Sequence, residues 1–349
     1  MQTDSAAVPP AATQETPPHV QVIQLAYPSY VVSRALFAVA HFGIADHLKD
    51  GPEDVERLAA TTGTHAPTLR RVLRLLASYG LFRTDEAGRV ALTPLGAALR
   101  SDAPGAARST ILTLAGDLFW SAWGEVLYSL RTGQTGLEKA HGQGLFDVLA
   151  QRPEEATHFN AAMIGFHGGE PAAVAAAYDF DSIGTLVDVG GGTGNLLGTI
   201  LKAHPHVRGV LFDLPHVAAE AEQRLAAEGL ADRCEAVGGD FFEADLPGGD
   251  AYLLSHIIHD WGEDECLRIL ANCRRAIGRS GRLLIVETVV RAGDEPDFGK
   301  LSDLVMLVVP GGQERSEEEY RSLLGKAGFR LSRVVPASST VSVIEAVVS

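Results

Sequence analysis

The sequence is poor in cysteine: Cys234, Cys266 and Cys273 are the only three in 349 residues. So odd and sparse a set excludes a disulfide framework. Cys266 and Cys273 stand seven apart, on one helical face, with no metal-ligand pattern around them, and read as small core residues. Basic charge is also short. There are 29 Lys and Arg against 44 Asp and Glu, a formal net charge of -15. A chain this acidic is a poor general partner for phosphate backbones and anionic membranes, which sets aside nucleic acid and membrane as partners. No uninterrupted apolar run is long enough to span a bilayer. The opening MQTDSAAVPPAATQETPP has no basic segment followed by an apolar one, so no signal peptide is expected and a cytoplasmic location is. What is present is globular: 46% hydrophobic and 21% charged, with length enough for a sizeable core and for two domains.

Residues 1–19, rich in Pro, Ala and Thr, predict a disordered tail. From Val20 to Leu48 the pattern is helical, with Leu25, Val32, Leu36, Val39 and Ile44 at roughly helical spacing. DVERLAATTG predicts a short helix ending at Gly63. THAPTLRRVLRLLASYG predicts a second, ending at Gly80, with Leu69, Val72, Leu73, Leu76 and Tyr79 on one face. LFRTDEAGRVAL predicts a hairpin around Glu86, Ala87 and Gly88. Helix, turn, helix and hairpin form a winged-helix-like pattern, with Arg70, Arg71 and Arg74 on its second helix. A DNA reader carries a basic footprint. Here nine Lys and Arg meet eight Asp and Glu between His41 and Arg108, so residues 20–108 read as a dimerisation or scaffolding module. Residues 109–178 form a helical, aromatic-bearing connector.

From Gly184 short apolar runs alternate with helical segments: TLVDV, RGVLFD, RCEAVGGD, DAYLLS and RLLIVE are each followed by a helix or turn. The alternation predicts a largely parallel sheet with helices on both faces. GFRLSRVVPAS and TVSVIEAVV have no helix between them and predict an antiparallel hairpin that finishes the sheet.

The first of these strands runs into four glycines in five positions, LVDVGGGTGN. Strand, glycine turn and helix N-terminus make a platform on which a ligand can approach the backbone. Gly190 and Gly192 match the start of a dinucleotide fingerprint, but Asn195 stands where its third glycine could fall. Asp213 ends the second strand, 21 residues after Gly192, where a carboxylate can accept two hydrogen bonds from a ribose diol. That fits the adenosine of NAD or of S-adenosylmethionine equally. Asp240 and Phe241 end a third strand, where an acid and an aromatic can hold an adenine. Each acid taken singly is as well explained as a helix cap or turn residue.

LVDVGGGTG, FDLPHV, VGGDFF, HDW, and GGQER followed by KAGF together resemble the class I S-adenosylmethionine-dependent O-methyltransferases. The similarity is to plant caffeate- and flavonoid-type enzymes and to bacterial antibiotic-pathway enzymes, and it spans nearly the whole chain after the tail. The resemblance implies a Rossmann-like α/β fold with a seven-stranded mixed sheet over residues 179–349, preceded by an N-terminal winged-helix-like module that makes a homodimer. It implies S-adenosylmethionine as cofactor, leaving S-adenosylhomocysteine. Asp188, Gly190 and Gly192 would lie against its amino-acid portion, Asp213 at the ribose, Asp240 and Phe241 at the adenine, and Leu214 and Ser255 near the cofactor.

For the chemistry the resemblance points to HIIHDW. Methyl transfer from a sulfonium is an in-line displacement on an already activated donor, so the protein must mainly position the acceptor and exclude water. A phenol, with a pKa of ~10, is mostly protonated at neutral pH, and a histidine can take its proton as the methyl arrives. In the family this base is the histidine of His-Asp-Trp, here His259. Strand alternation would put Ser255 and His259 on one side and His256 on the other. Glu287 and Glu314 would flank His259, and either could hold its imidazole in the working tautomer. Asp260 is read as local support. Met163 and Met306 match family methionines that sandwich an aromatic acceptor, although core packing explains each nearly as well. Phe159, Phe166, Trp120 and His256 are further pocket candidates, and no metal is expected. Where plant members have histidine and asparagine, this sequence has Val308 and Val309, which implies a more apolar, polycyclic acceptor. O-methylation of an aromatic small molecule is the first reading. N-methylation of a heterocycle such as a phenazine, or a member that binds the cofactor without methylating, stays open. An NAD-dependent oxidoreductase and a DNA-binding regulator rank behind these.

Overall fold

The computed structural model describes residues 16–349. The tail expected over 1–19 lies outside the described residues as far as residue 15, and a helix has already begun at Pro18. The chain divides into two compact units between Ala115 and Gly116.

The first unit holds α1 (Pro18–His41), α2 (Ile44–His47), α3 (Val55–Thr62), α4 (Ala66–Ser78), β1 (Phe82–Thr84), β2 (Val90–Leu92), α5 (Pro94–Ala97) and α6 (Ala107–Leu114). The single helix expected to Leu48 is broken because Gly43 takes a left-handed φ of 61° between α1 and α2. On α4, Leu69, Leu73 and Leu76 form the buried stripe at helical spacing. Tyr79, expected on that stripe, is the residue that caps α4 and is half exposed. Arg70, Arg71 and Arg74 all face outward. The hairpin forms as expected, β1 antiparallel to β2, around a turn in which Asp85 Oδ1 accepts from the Ala87 and Arg89 N–H groups. Among the described residues α1 is the one helix long and apolar enough to cross a membrane. Its Val22, Leu25 and Tyr27 are 65%, 76% and 69% exposed among the described residues, so much of its apolar surface is uncovered there.

The second unit begins with helices α7 (Asp117–Gly124), α8 (Val126–Thr132), α9 (Gly136–His141), α10 (Leu145–Ala150), α11 (Pro153–His167) and α12 (Glu170–Ala177). The alternating region follows: β3 (Thr185–Val189), α13 (Asn195–Ala203), β4 (Arg208–Asp213), α14 (Pro215–Ala227), β5 (Cys234–Gly238) and β6 (Ala251–Ser255). After a 3-10 turn (Ile258–Asp260) come α15 (Glu263–Ala276), β7 (Arg282–Glu287), β8 (Val289–Val290), α16 (Phe298–Val308), β9 (Arg315–Ser316), α17 (Glu317–Lys326), β10 (Phe329–Pro336) and β11 (Ser342–Val348).

Seven strands form one mixed sheet in the order β10-β11-β7-β6-β3-β4-β5, and only β11 runs antiparallel to its neighbours. Alternate residues feed two cores. Leu186, Leu253 and Leu284 pack on one face with Leu197, Ile200 and Leu225. Val187, Tyr252 and Ile285 pack on the other with Ile269, Leu270 and Leu323. Both faces are covered, which is why these strands read as unbroken apolar runs. The strand order reverses between β3 and β6, so the crevice beyond their carboxyl ends is where such a sheet holds a ligand.

Candidate active site

The glycine turn lies in that crevice. Gly190 has a φ of 73°, and a Cβ there would stand 2.5 Å from Ile257 Cδ1. A Cβ on Gly191 would stand 2.7 Å from Asp188 Oδ2. A side chain at either position would collide with these atoms, so glycine lets the turn pack between Asp188 and Ile257 with its backbone bare. Asp188 is buried behind it. Its Oδ1 has no hydrogen-bond partner among the described residues, and burial, then the Asp213 charge, pushes its carboxyl up to about 7. Such an acid suits a cationic ligand group.

Asp213 does local work as well. Its Oδ2 accepts from the Gly192 N–H at 2.8 Å and its Oδ1 from the Leu214 N–H at 2.7 Å. The carboxylate ties the glycine turn to the end of β4, and each oxygen keeps a further lone pair for a ligand. Leu214 is the N-cap of α14 and is 46% exposed. Asp240 Oδ1 accepts from the Phe242 N–H at 2.8 Å. Half-buried Phe241 packs edge-on against Phe242 and Trp261, with its carbonyl taking a bond from Asn272 Nδ2. A cavity of about 230 Å³ opens between the turn and α11–α12, lined by Asp188, Gly190, Gly192, Ser255, His256 and Glu170 among others.

His256 corrects the sequence reading. Alternation placed it opposite His259, but β6 ends at Ser255 and His256 takes a φ of 53° as the chain swings into the 3-10 turn. Its ring centroid is 5.2 Å from that of His259, and it lines the cavity beside the glycine turn. A left-handed residue breaks the period of two on which alternation rests.

His259 is buried in the 3-10 turn. Its Nδ1 is 3.2 Å from Glu314 Oε1, and its Nε2 is 3.5 Å from Asp260 Oδ1. A carboxylate only accepts, so Nδ1 carries a proton toward Glu314. Burial pulls the imidazole's pKa down. The Glu314 hydrogen bond and the charges of Glu287, Asp260 and Glu314 outweigh it and hold the ring at about 9. The two expected glutamates divide the task. Glu287 Oε1 accepts from the backbone N–H of His259 at 3.1 Å and Oε2 from the Tyr320 hydroxyl. Glu314 alone meets the ring and also accepts from Ser302 Oγ at 2.8 Å. Asp260, read as local support, stands close enough to act on the ring electrostatically.

What brings Glu314 to His259 is a set of contacts that the sequence did not announce. Beyond β7, Val289 and Val290 pair in parallel with Arg315 and Ser316. The GGQER loop then passes backbone to backbone over His259: the Gln313 N–H donates to the His259 carbonyl at 2.8 Å. A Cβ on Gly312 would lie 1.8 Å from that same oxygen, so only glycine fits. Buried Arg315 donates to the carbonyls of Ile258 and Trp261, holding both ends of the His259 turn. A capping box between Ser316 and Glu319 fixes the start of α17 just after it.

The aromatic candidates lie on helices. Phe159, Met163 and Phe166 follow one another at helical spacing on α11, and Met306 stands on α16. Phe159 is partly buried against a core that includes Phe119, Val308 and Val309. Met163 and Met306 are half-buried, Trp120 on α7 is half-buried, and Phe166 is 41% exposed. Val308 and Val309, at 0% and 1% exposure, make this end of α16 apolar.

Residues 123–330 match the O-methyltransferase domain family, and residues 25–102 match the O-methyltransferase dimerisation domain. The chain belongs to the O-methyltransferase family. It is an S-adenosylmethionine-dependent methyltransferase with a dimerisation domain ahead of its catalytic one. It is 46% identical over 317 residues to the phenazine O-methyltransferase PhzM of Lysobacter antibioticus, covering 91% of this chain and 93% of that protein. It is 39% identical over 311 residues to the mitomycin biosynthesis 6-O-methyltransferase of Streptomyces lavendulae, covering 88% of each. Among solved structures it resembles NcsB1, an O-methyltransferase from neocarzinostatin biosynthesis, seen with S-adenosylmethionine and 2-hydroxy-5-methyl naphthoic acid. That likeness has 33% identity and a TM-score of 0.80, and covers 91% of this chain and 96% of that one. The unpartnered buried acid and the open glycine turn fit this family's cofactor, which carries a sulfonium and an α-ammonium.

Proposed function

We propose that this enzyme methylates a hydroxyl of an aromatic secondary metabolite, with His259 as the general base. The observation that carries the reading is the His259–Glu314 pair, buried beside the crevice at the carboxyl ends of β3 and β6. S-adenosylmethionine supplies an activated methyl. Asp188, Gly190 and Gly192 bind its amino-acid end, Asp213 and Leu214 the ribose, Asp240 and Phe241 the adenine, and Ser255 lies alongside. Glu314 holds the imidazole by Nδ1, which leaves Nε2, 3.5 Å from Asp260 Oδ1, as the nitrogen that takes the acceptor's proton. A ring held at about 9 is nearly matched to a phenol at ~10, so the proton moves at small cost as the bond to the methyl forms. Glu287 fixes the backbone of the base and helps stabilise the imidazolium. Met163, Met306, Phe159, Phe166 and Trp120 clasp the flat acceptor, and Val308 and Val309 favour an apolar, polycyclic one. The similarity to phenazine, mitomycin and naphthoate enzymes supports a place in antibiotic or related secondary metabolism. The exposed apolar side of α1, within the matched dimerisation domain, is read as part of a homodimer interface in a soluble cytoplasmic enzyme.

The test is transfer of a labelled methyl group to a panel of hydroxyphenazines, hydroxyquinones and naphthoates, with the product's methyl placed by NMR. An O-methyl product supports the reading. An N-methyl product refutes it.

A further inference from the structure

One group of ionisable side chains is left unused by this mechanism. Glu170, at the start of α12, is 9% exposed, and its Oε2 sits between two histidines. His167 Nδ1 lies 2.9 Å from it and His256 Nε2 2.8 Å. The carboxylate can only accept, so both nitrogens donate. Burial would push this carboxyl up, but the two hydrogen bonds outweigh it and hold Glu170 at about 2, an anion at neutral pH. Burial pulls His256 down to about 4, so it is a neutral donor and cancels no charge. The other oxygen, Oε1, has one long contact, 3.4 Å to Thr340 Oγ1.

All three side chains line the same cavity as the glycine turn. At about 230 Å³ that cavity is smaller than a whole small-molecule site, which usually takes ~300–1,000 Å³, and so suits one end of a ligand. Among the described residues its walls carry two acids, Asp188 and Glu170, and neither lysine nor arginine. A buried anion with spare accepting capacity takes a further donor, and a cationic one suits it best.

We propose that Glu170, oriented by His167 and His256, accepts a hydrogen bond from the α-ammonium at the amino-acid end of S-adenosylmethionine. The inference rests on the cofactor site described above. The α-carboxylate then faces the N-terminus of α13, where Asn195 and Leu196 line the cavity and the first helical N–H groups need no basic side chain to receive it.

The test is calorimetric titration of wild type and Glu170→Gln with two probes. S-adenosylhomocysteine has the amino-acid end, and 5′-methylthioadenosine lacks it. Glutamine keeps the volume but turns the free oxygen into an amide that repels an ammonium. The expected result is a ~10–100-fold weaker Kd for S-adenosylhomocysteine, with less than ~2-fold change for methylthioadenosine, whose binding also reports a folded site. Equal losses for both probes, or no loss for S-adenosylhomocysteine, would overturn the inference. So would stoichiometric Zn²⁺ binding abolished by Glu170→Gln with both nucleosides unaffected, since the ligand atoms of this trio lie within 4.8 Å of one another. Wild type binding neither probe would instead overturn the cofactor site itself, and this inference with it.

Discussion

Replacing Glu314 by glutamine isolates what that carboxylate does to His259, the proposed base. His259 is held at about 9 because three acids outweigh its burial, Glu314 first among them. At pH 7 only about one ring in a hundred is then neutral, so kcat/KM should rise with pH and level off near 9. Glutamine has the same volume and its amide oxygen still accepts from Nδ1 at the 3.2 Å observed. What goes is the charge. A hydrogen bond to a charged group is worth ~1.5–3 kcal/mol and a neutral one ~1, so the change is ~1–2 kcal/mol, or about one pKa unit. The sign follows from the shift. The acid raises the imidazole's pKa, so its loss lowers it, and the profile should level off near pH ~8. Below that point the variant gains neutral base, up to about tenfold, offsetting the weaker base. Above it the variant should be slower than wild type. The assay is initial rate of labelled methyl transfer against pH for both enzymes on one phenolic acceptor. Titration of the acceptor affects both curves alike and cancels in the comparison. Superimposable profiles would refute the assignment of Glu314 as the partner that sets the base.

Other changes test other parts of the site. Asp213→Ala should weaken S-adenosylhomocysteine ~10-fold or more by calorimetry while the circular dichroism of the fold is kept, and unchanged affinity would contradict its ribose role. Gly312→Ala forces a Cβ onto the His259 carbonyl, 1.8 Å away, and should cost ~1–3 kcal/mol in urea unfolding and slow transfer sharply. Wild-type stability and rate would mean the loop does not seat the base. Leu25→Glu places charge on the exposed apolar side of α1 and should convert a dimer to monomer by light scattering. A dimer that persists would move the interface elsewhere.

Much of the fold could be read from residue types. Leu186, Val187, Tyr252 and Ile285 declared buried parallel strands because both sheet faces are covered. The run from Gly190 to Gly194 declared a ligand platform because glycine has few other reasons to cluster. The His-Asp-Trp histidine was visible through family likeness. What escaped was whatever depends on contacts far apart in sequence. Glu170 and His256 are 86 residues apart, and Arg315 reaches Ile258 across 57. No periodicity reports such pairs. The separate duties of Glu287 and Glu314 depend on the short pairing of Val289–Val290 with Arg315–Ser316, segments too brief to show a strand pattern. His256 was misplaced because one left-handed residue defeats alternation. Gly312 had a signal, since a second glycine beside Gly311 asks for close approach of backbone, but the sequence could not name His259 as what approaches.

The central claim is that His259 takes the acceptor's proton, and the most direct measurement compares wild type with His259→Ala. Both are titrated with S-adenosylhomocysteine and assayed for methyl transfer to the same phenol. The account predicts equal binding and a ~10²–10⁴-fold slower transfer in the variant. Near-normal transfer by a variant that binds normally would contradict it and leave catalysis to positioning alone.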